Sequence, residues 1–143
     1  MRLLGALLCA ALLCALSACA TPQAPTNAPA NCAADAESAV EPPADFPRGL
    51  PLPRGLRLFK TNTLPGYTGS HQLLGYAPTT IVASYKFLRE ELPKASYVVT
   101  FGESEANEVE LMFRGNEWQG AYRVNTVEHC AALTLWTINA LKR

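Results

Sequence analysis

From Tyr97 onward the apolar residues recur at every second position, behind a single segment in which they recur at 3.6. That switch of period narrows the available folds more than any other feature of the chain. Tyr97, Val99 and Phe101 alternate with Val98 and Thr100; Val109, Leu111 and Phe113 alternate with Glu108, Glu110, Met112 and Arg114; Trp118, Gly120, Tyr122 and Val124 alternate with Gln119, Ala121 and Arg123. The second and third runs flank Gly115-Asn116, a two-residue hairpin signal of type II′. A turn there would set Phe113 opposite Trp118, Val109 opposite Tyr122 and Glu108 opposite Arg123. The apolar pairs would share one face and the charged pair the other, as a half-buried antiparallel hairpin requires.

The helical segment is 79–92. Thr79 is a candidate cap after Pro78, and Pro93 is expected to end the helix. Ile81, Tyr85, Leu88 and Leu92 form one stripe, and Lys86, Glu90 and Glu91 lie opposite, with Glu90 four residues from both Lys86 and Lys94. Phe87 falls off the stripe, which suits either cover by the preceding linker or a contact surface. Leu56 to Lys60 and residues 70–77 read as two earlier strands, separated by a turn at Pro65-Gly66. A last strand runs from Ala132 to Ile138, with apolar residues on both faces. The order is ββαββββ. It predicts an α+β fold, a two-layer sandwich with one helix packed on a mainly antiparallel sheet of about five to six strands.

Before this domain the composition changes. Residues 20–45 are rich in Pro and Ala, contain no aromatic residue and one valine, and cannot bury enough apolar surface to offset their ordering entropy. They read as a leash spanning about 25–30 Å when flexible and about 80 Å when stretched as polyproline. Pro-Arg-Gly-Leu occurs at 47–50 and again at 53–56, each copy suited to a turn. Arg48, Arg54 and Arg57 could form a basic rim there that touches lipid head groups or another envelope polymer.

Met1-Arg2 opens an apolar run from Leu3 to about Leu16 that is shorter than the ~20 residues a spanning helix needs. A basic start, an apolar stretch and small residues before a cysteine have the form of an export signal. Leu16-Ser17-Ala18-Cys19 resembles the lipobox of secreted bacterial lipoproteins. The resemblance implies cleavage before Cys19 and lipid on its thiol and new amino group; an ordinary cleaved signal and a retained anchor are the alternatives. The expected organisation is a signal peptide at 1–18, a lipidated cysteine and linker at 19–45, and one domain at 46–143. In a Gram-negative cell, Ala20 is not the aspartate that favours inner-membrane retention, so the resemblance points to the outer membrane, facing the periplasm. The partner implied is the membrane itself, through the lipid.

Five cysteines then sort themselves. Cys9 and Cys14 leave with the signal and Cys19 carries lipid, so Cys32 and Cys130 remain as a candidate disulfide in an oxidising compartment. Two free thiols are the alternative, and the pair lacks Cys-x-x-Cys redox spacing.

A second resemblance covers part of the domain. Gly75-Tyr76-Ala77-Pro78, Tyr85-Lys86-Phe87-Leu88 and Leu92-Pro93-Lys94-Ala95-Ser96-Tyr97 look like a pattern in small uncharacterised bacterial envelope proteins, in which a helix leads through a short turn into a strand. Ser96 stands where that pattern has Gly, so the turn is expected to differ. The resemblance implies an α+β fold and carries no activity.

Catalytic and metal chemistry leave little trace. Twelve basic and twelve acidic residues cancel, which gives no reason to expect nucleic acid as a partner. His71 and His129 are the two histidines; Glu128-His129-Cys130 lacks ligand spacing, because neighbours on a strand point to opposite faces. Ser70-His71 is no nucleophile constellation, and Glu108, Glu110 and Glu117 read as a solvated sheet face. No metal or cofactor is expected. The expected function is a non-catalytic binding or scaffolding module with an envelope-protein partner. A small-molecule or lipid-binding module is the alternative, its cleft between helix and sheet lined by Tyr85, Tyr97, Phe101 and Trp118. An enzyme using His71 or His129 is third.

Overall fold

The computed structural model describes residues 39–143, and in it the period-two runs become neighbouring strands of one sheet. The elements are β1 (Arg57–Thr63), β2 (His71–Ala77), α1 (Ile81–Lys94), β3 (Val98–Ser104), β4 (Glu108–Arg114), β5 (Trp118–Thr126) and β6 (Thr134–Lys142). The spatial order is β1-β2-β6-β5-β4-β3, every pair antiparallel. The described residues therefore fold as α+β, with one helix and six strands in the expected order. After the β1–β2 hairpin the chain runs through α1 to the far edge of the sheet. It then meanders back strand by strand until β6 closes against β2.

The inner face carries Leu73 and Ala77 on β2, Trp136, Ile138 and Ala140 on β6, Tyr122 and Val124 on β5, and Val109, Leu111 and Phe113 on β4, all buried. α1 lies against β3, β4 and β5 and contributes Ile81, Leu88 and Leu92 to the same cluster. Phe46 and Leu50 join it from the segment ahead of β1. Packed contacts begin before residue 46: the Val40 N–H donates to the Leu58 carbonyl at 2.9 Å, and Val40 packs against the core.

Both Pro-Arg-Gly-Leu copies are turns in which the Leu N–H donates to the Pro carbonyl, Leu50 to Pro47 at 3.1 Å and Leu56 to Pro53 at 3.2 Å. Identical sequence does not give identical backbone. Gly55 has φ +76°, as a type II turn needs at its third residue, while Gly49 does not have a positive φ.

The β4–β5 hairpin forms one residue further along than expected. Gly115 and Trp118 close it, with the Gly115 N–H donating to the Trp118 carbonyl at 2.7 Å, and Asn116-Glu117 occupy the turn. Neither central residue has positive φ, so the turn is not a primed type. Gly115 serves a different need: a Cβ there would meet the Tyr97 ring at 2.7 Å. The register accordingly pairs Phe113 with Gly120, Leu111 with Tyr122, Val109 with Val124 and Glu110 with Arg123. The expected pairs Phe113–Trp118, Val109–Tyr122 and Glu108–Arg123 are displaced by two residues. An even displacement leaves every side chain on its expected face, because strand faces repeat every two residues.

Two helix boundaries also move. Thr80, not Thr79, is the cap: its Oγ1 accepts from the Ala83 N–H at 3.2 Å, while the Thr79 N–H is held by the Ala77 carbonyl at 2.9 Å. Pro93 lies inside the helix, which runs on to Lys94. In the last turn a proline forfeits one backbone hydrogen bond, to the Arg89 carbonyl, and the turn is closed from beyond it. The Tyr97 N–H donates to the Leu92 carbonyl at 2.9 Å and the Ser96 N–H to the Pro93 carbonyl at 3.1 Å, the paired bonds of a Schellman end. Ser96 has φ +65° and so takes the left-handed conformation that glycine usually supplies. The turn expected to differ at this serine keeps the glycine geometry.

Ser96→Gly is therefore expected to raise stability by up to about 1 kcal/mol, the left-handed penalty less the added freedom of the unfolded chain, measured by chemical denaturation. Gly55→Ala should lower it, since a Cβ at φ +76° also meets Pro78 Cγ at 3.1 Å, while Gly49→Ala, with nothing within 4 Å, should be close to neutral.

Candidate functional site

Among the described residues, the four side chains expected to line one cleft do not border one space. Tyr97 is buried, with its ring edge-on to Phe113 at 5.2 Å; Tyr85 and Trp118 are half-buried against the same core. Phe101 is on the other face of the sheet. Val99 pairs with Phe113 and Phe101 with Met112, so Thr100 is an extra residue, a β-bulge that reverses the alternation beyond it. Gly102 takes the inward position, 3.6 Å from the Tyr85 ring if given a Cβ. One inserted residue thus moves Phe101 out of the core and leaves Gly102 against the Tyr85 ring.

Phe87 packs edge-on against Trp136 at 6.3 Å and lines a groove of 340 Å³ with Gly49, Pro51, Leu52, Glu91 and Lys94. Residues 49–52, beyond the expected linker, provide its cover. Arg48, Arg54 and Arg57 are exposed. Lys94 pairs with Glu91 at 2.7 Å, and Lys86 with Glu90 at 3.9 Å, so Glu90 has one of its two expected partners.

The histidines do not converge. His71 pairs across the sheet with Ala140, whereas His129 sits in the β5–β6 loop just before Thr134. Six residues of β6 separate those levels, about 20 Å. His71 is buried between Phe46 and Trp118, and Asp45 Oδ1 lies 3.0 Å from its Nε2 but off the N–H direction, so that nitrogen has no aligned hydrogen bond. His129 is exposed at φ +63°, with Glu128 3.4 Å away. Among the described residues no group of three or more His, Cys, Asp and Glu side chains is placed to hold a metal ion.

Cys19 and Cys32 lie outside the described residues. Cys130 is buried in the β5–β6 loop and is disulfide-bonded. Every other cysteine precedes residue 39, so its partner lies outside the described residues too.

The outer face of the sheet holds the most distinctive surface. The cross-strand register aligns Asn62, Gln72, Asn139, Ala121, Met112 and Phe101 in one row across all six strands. Asn62 Nδ2 donates to Gln72 Oε1 and Gln72 Nε2 to Asn139 Oδ1, both at 3.0 Å, which makes half of the row a ladder of amides. The small side chain of Ala121 leaves a hollow between that ladder and Met112. It is part of a groove of 560 Å³ bounded also by Leu64, Arg114, Gln119 and Leu141. Sequence reading missed it because register decides which residues share a row; the available signal was the small pair Gly120-Ala121 within an otherwise bulky strand.

Beside the groove, Arg123 Nε lies 2.9 Å from Glu108 and its guanidinium hydrogen-bonds to Glu110. Those bonds, Glu110 first and Glu108 next, raise the already high Arg123 pKa further. On the inner side, burial pushes the Tyr122 hydroxyl well above the ordinary tyrosine range, with Tyr97 adding to it. Its hydroxyl donates to the Pro51 carbonyl at 2.8 Å and so ties the segment ahead of β1 to β5.

A scan against protein-family models finds no match, and neither does a search of curated proteins or of solved structures.

The tyrosine sets a pH limit. A folded-state pKa above the unfolded value of about 10 favours the folded protein while the group stays protonated. That stability is present below pH 10 and is lost as pH rises through the folded pKa. Denaturation midpoints should therefore fall steeply above about pH 10, and Tyr122→Phe should flatten the fall while lowering stability at neutral pH by about 1 kcal/mol through loss of the Pro51 hydrogen bond.

Proposed function

We propose that the protein is a lipid-anchored envelope protein whose domain binds or scaffolds rather than catalyses. The observation that carries this reading is Leu16-Ser17-Ala18-Cys19 behind a short apolar run with a basic start. Two acyl chains or more would hold it stably, since one alone binds a membrane only marginally. Ala20 favours the outer membrane, facing the periplasm, in a Gram-negative cell. The distribution of surface supports binding: the inner face is filled by core, while the outer face keeps its groove. A two-layer arrangement is the finer reading of the fold, supported by Leu88 and Leu92 sharing one buried cluster with Leu111, Val124 and Trp136.

A small-ligand module is the second reading, favoured by the size of the outer-face groove. Its 560 Å³ falls within the range usual for ligand sites. That reading rests on Gln72, Asn139, Met112 and Leu141, not on a cleft under the helix.

Cys32 is the proposed partner of Cys130. It lies eight residues before Val40, a span of up to about 28 Å. Val40 is held on the outer side of β1, three strand spacings or about 14 Å from β6. The bond would shorten the free leash to residues 19–32 and keep the β5–β6 loop near the membrane.

Growth with an alkyne fatty acid should label the chain, and Cys19→Ala should abolish the label and release the protein from the membrane fraction; an unlabelled wild type would sink the anchor. On a non-reducing peptide map a Cys32–Cys130 linkage is expected. Cys32→Ser should then cost about 2–5 kcal/mol in denaturation, and finding Cys32 as a free thiol would refute the pairing.

A further inference from the structure

The two edges of the sheet are finished differently. β1 is partly covered by Val40, whose N–H takes the Leu58 carbonyl, and it exposes Arg57 and Lys60. Among the described residues no strand lies beyond β3. Apolar side chains gather round it: Val98 is 67% exposed, Phe101 42% and Met112, its cross-strand neighbour, 50%. Val82, 76% exposed, lies on the inner side. It follows Ile81 on α1 and sits 60° round the helix from Tyr85, which touches the Gly102 position of β3. Of the five large apolar residues exposed among the described residues, only Tyr67 is elsewhere.

We propose that β3 is the pairing edge of a homodimer, in which two copies align their β3 strands antiparallel about a two-fold axis between Thr100 and Phe101. The bulge argues for a second copy over any regular strand. Val98, Phe101 and Glu103 share the outer face with Met112 and Glu110, Thr100 borders the outer groove, and Val99 and Gly102 face inward. Read from 98 to 103 the faces run out, in, out, out, in, out, a pattern identical in both directions. A partner strand with unbroken period two would lose phase at Thr100, and for such a partner the bulge protects the edge. A second β3 carries the same irregularity at the same place. Val98 then meets Glu103, Val99 meets Gly102 and Thr100 meets Phe101, each on a matching face.

Charge agrees with that alignment. On the outer face Glu103 and its neighbour Glu110 stand at one end of β3, and Arg114, the neighbour of Val98, at the other. The two-fold axis brings Glu103 of one copy beside Val98 of its partner, with the second copy's Arg114 one strand further. Two strand spacings, about 10 Å, separate the two backbones, a gap that Glu and Arg side chains can close across Val98. The pairing is isologous, each end meeting its opposite. It goes beyond the anchored-binding reading and does not depend on the lipid.

Sedimentation of the mature chain in detergent tests it. A reversible monomer–dimer equilibrium is expected. Phe101→Glu, placing two carboxylates at the axis, should weaken it by about tenfold or more. Glu103→Arg and Arg114→Glu should each weaken it, and the double exchange should restore it, a recovery that a mere folding defect could not give. Lys60→Glu on the opposite edge should leave it unchanged, and circular dichroism melts should show that each variant folds. A monomer at every concentration, a dimer indifferent to Phe101→Glu, or a double exchange that fails to recover would overturn the proposal.

Discussion

The burial of Trp136 is the contact on which the rest of the fold depends. It lies on β6, fully buried, with Gly75 opposite on β2 and Val124 opposite on β5. Tyr122 presents an edge to it at 6.2 Å and Phe87 of the helix another at 6.3 Å. Its indole N–H donates to Thr134 Oγ1 at 2.9 Å, and that hydroxyl donates to the Ala77 carbonyl at 3.3 Å, so the one polar atom of the ring is satisfied without water. One side chain thereby joins the helix, the first hairpin and the meander. β6 follows β5 directly in sequence but is separated from β2 by α1 and three strands, so the sheet closes only when it inserts between a near and a distant neighbour. Such long-range pairing must overcome loop-closure entropy before its contacts form.

That closure divides the sheet into two unlike surfaces. On the inner face α1 contacts β3, β4 and β5, and Phe46 and Leu50 bring the segment ahead of β1 into the same core, with Tyr122 clasping Pro51. Among the described residues the outer face carries no helix. There the amide ladder, the hollow over Ala121 and the Arg123 ion pairs lie in adjoining rows. A chain this small has one face to spend on its core, and what remains open is available for recognition. The two edges divide the same way, β1 capped by its own chain and β3 ringed by exposed apolar residues.

Much of this was legible in advance, and the failures have specific causes. The apolar alternation of β4 and β5 predicted their faces even though the turn was placed one residue early, because the error in register was even. The helix stripe of Ile81, Leu88 and Leu92 was readable from spacing alone. Phe101 was assigned to the wrong side because a bulge adds a residue without any mark in the hydropathy pattern: Val98, Val99, Thr100 and Phe101 are all good strand formers. Ser96 was expected to change a turn that it instead adopts, since the buried neighbours Leu92 and Tyr97 hold it in the left-handed region. The groove was invisible because Gln72, Ala121 and Asn139 are far apart in sequence and meet only through two strand registers.

The sequence by itself determined the elements and their order, because period and capping act over a few residues and need no partner. It determined as well which sides of β4 and β5 turn inward, and it carries the lipobox-like segment on which the proposed anchor rests. Only the tertiary structure decided that β6 lies between β2 and β5, that Thr100 is looped out, and which outer residues stand side by side. Those outcomes depend on pairing between segments tens of residues apart. Competing registers there differ by packing around Trp136 and Tyr97, which no local pattern encodes.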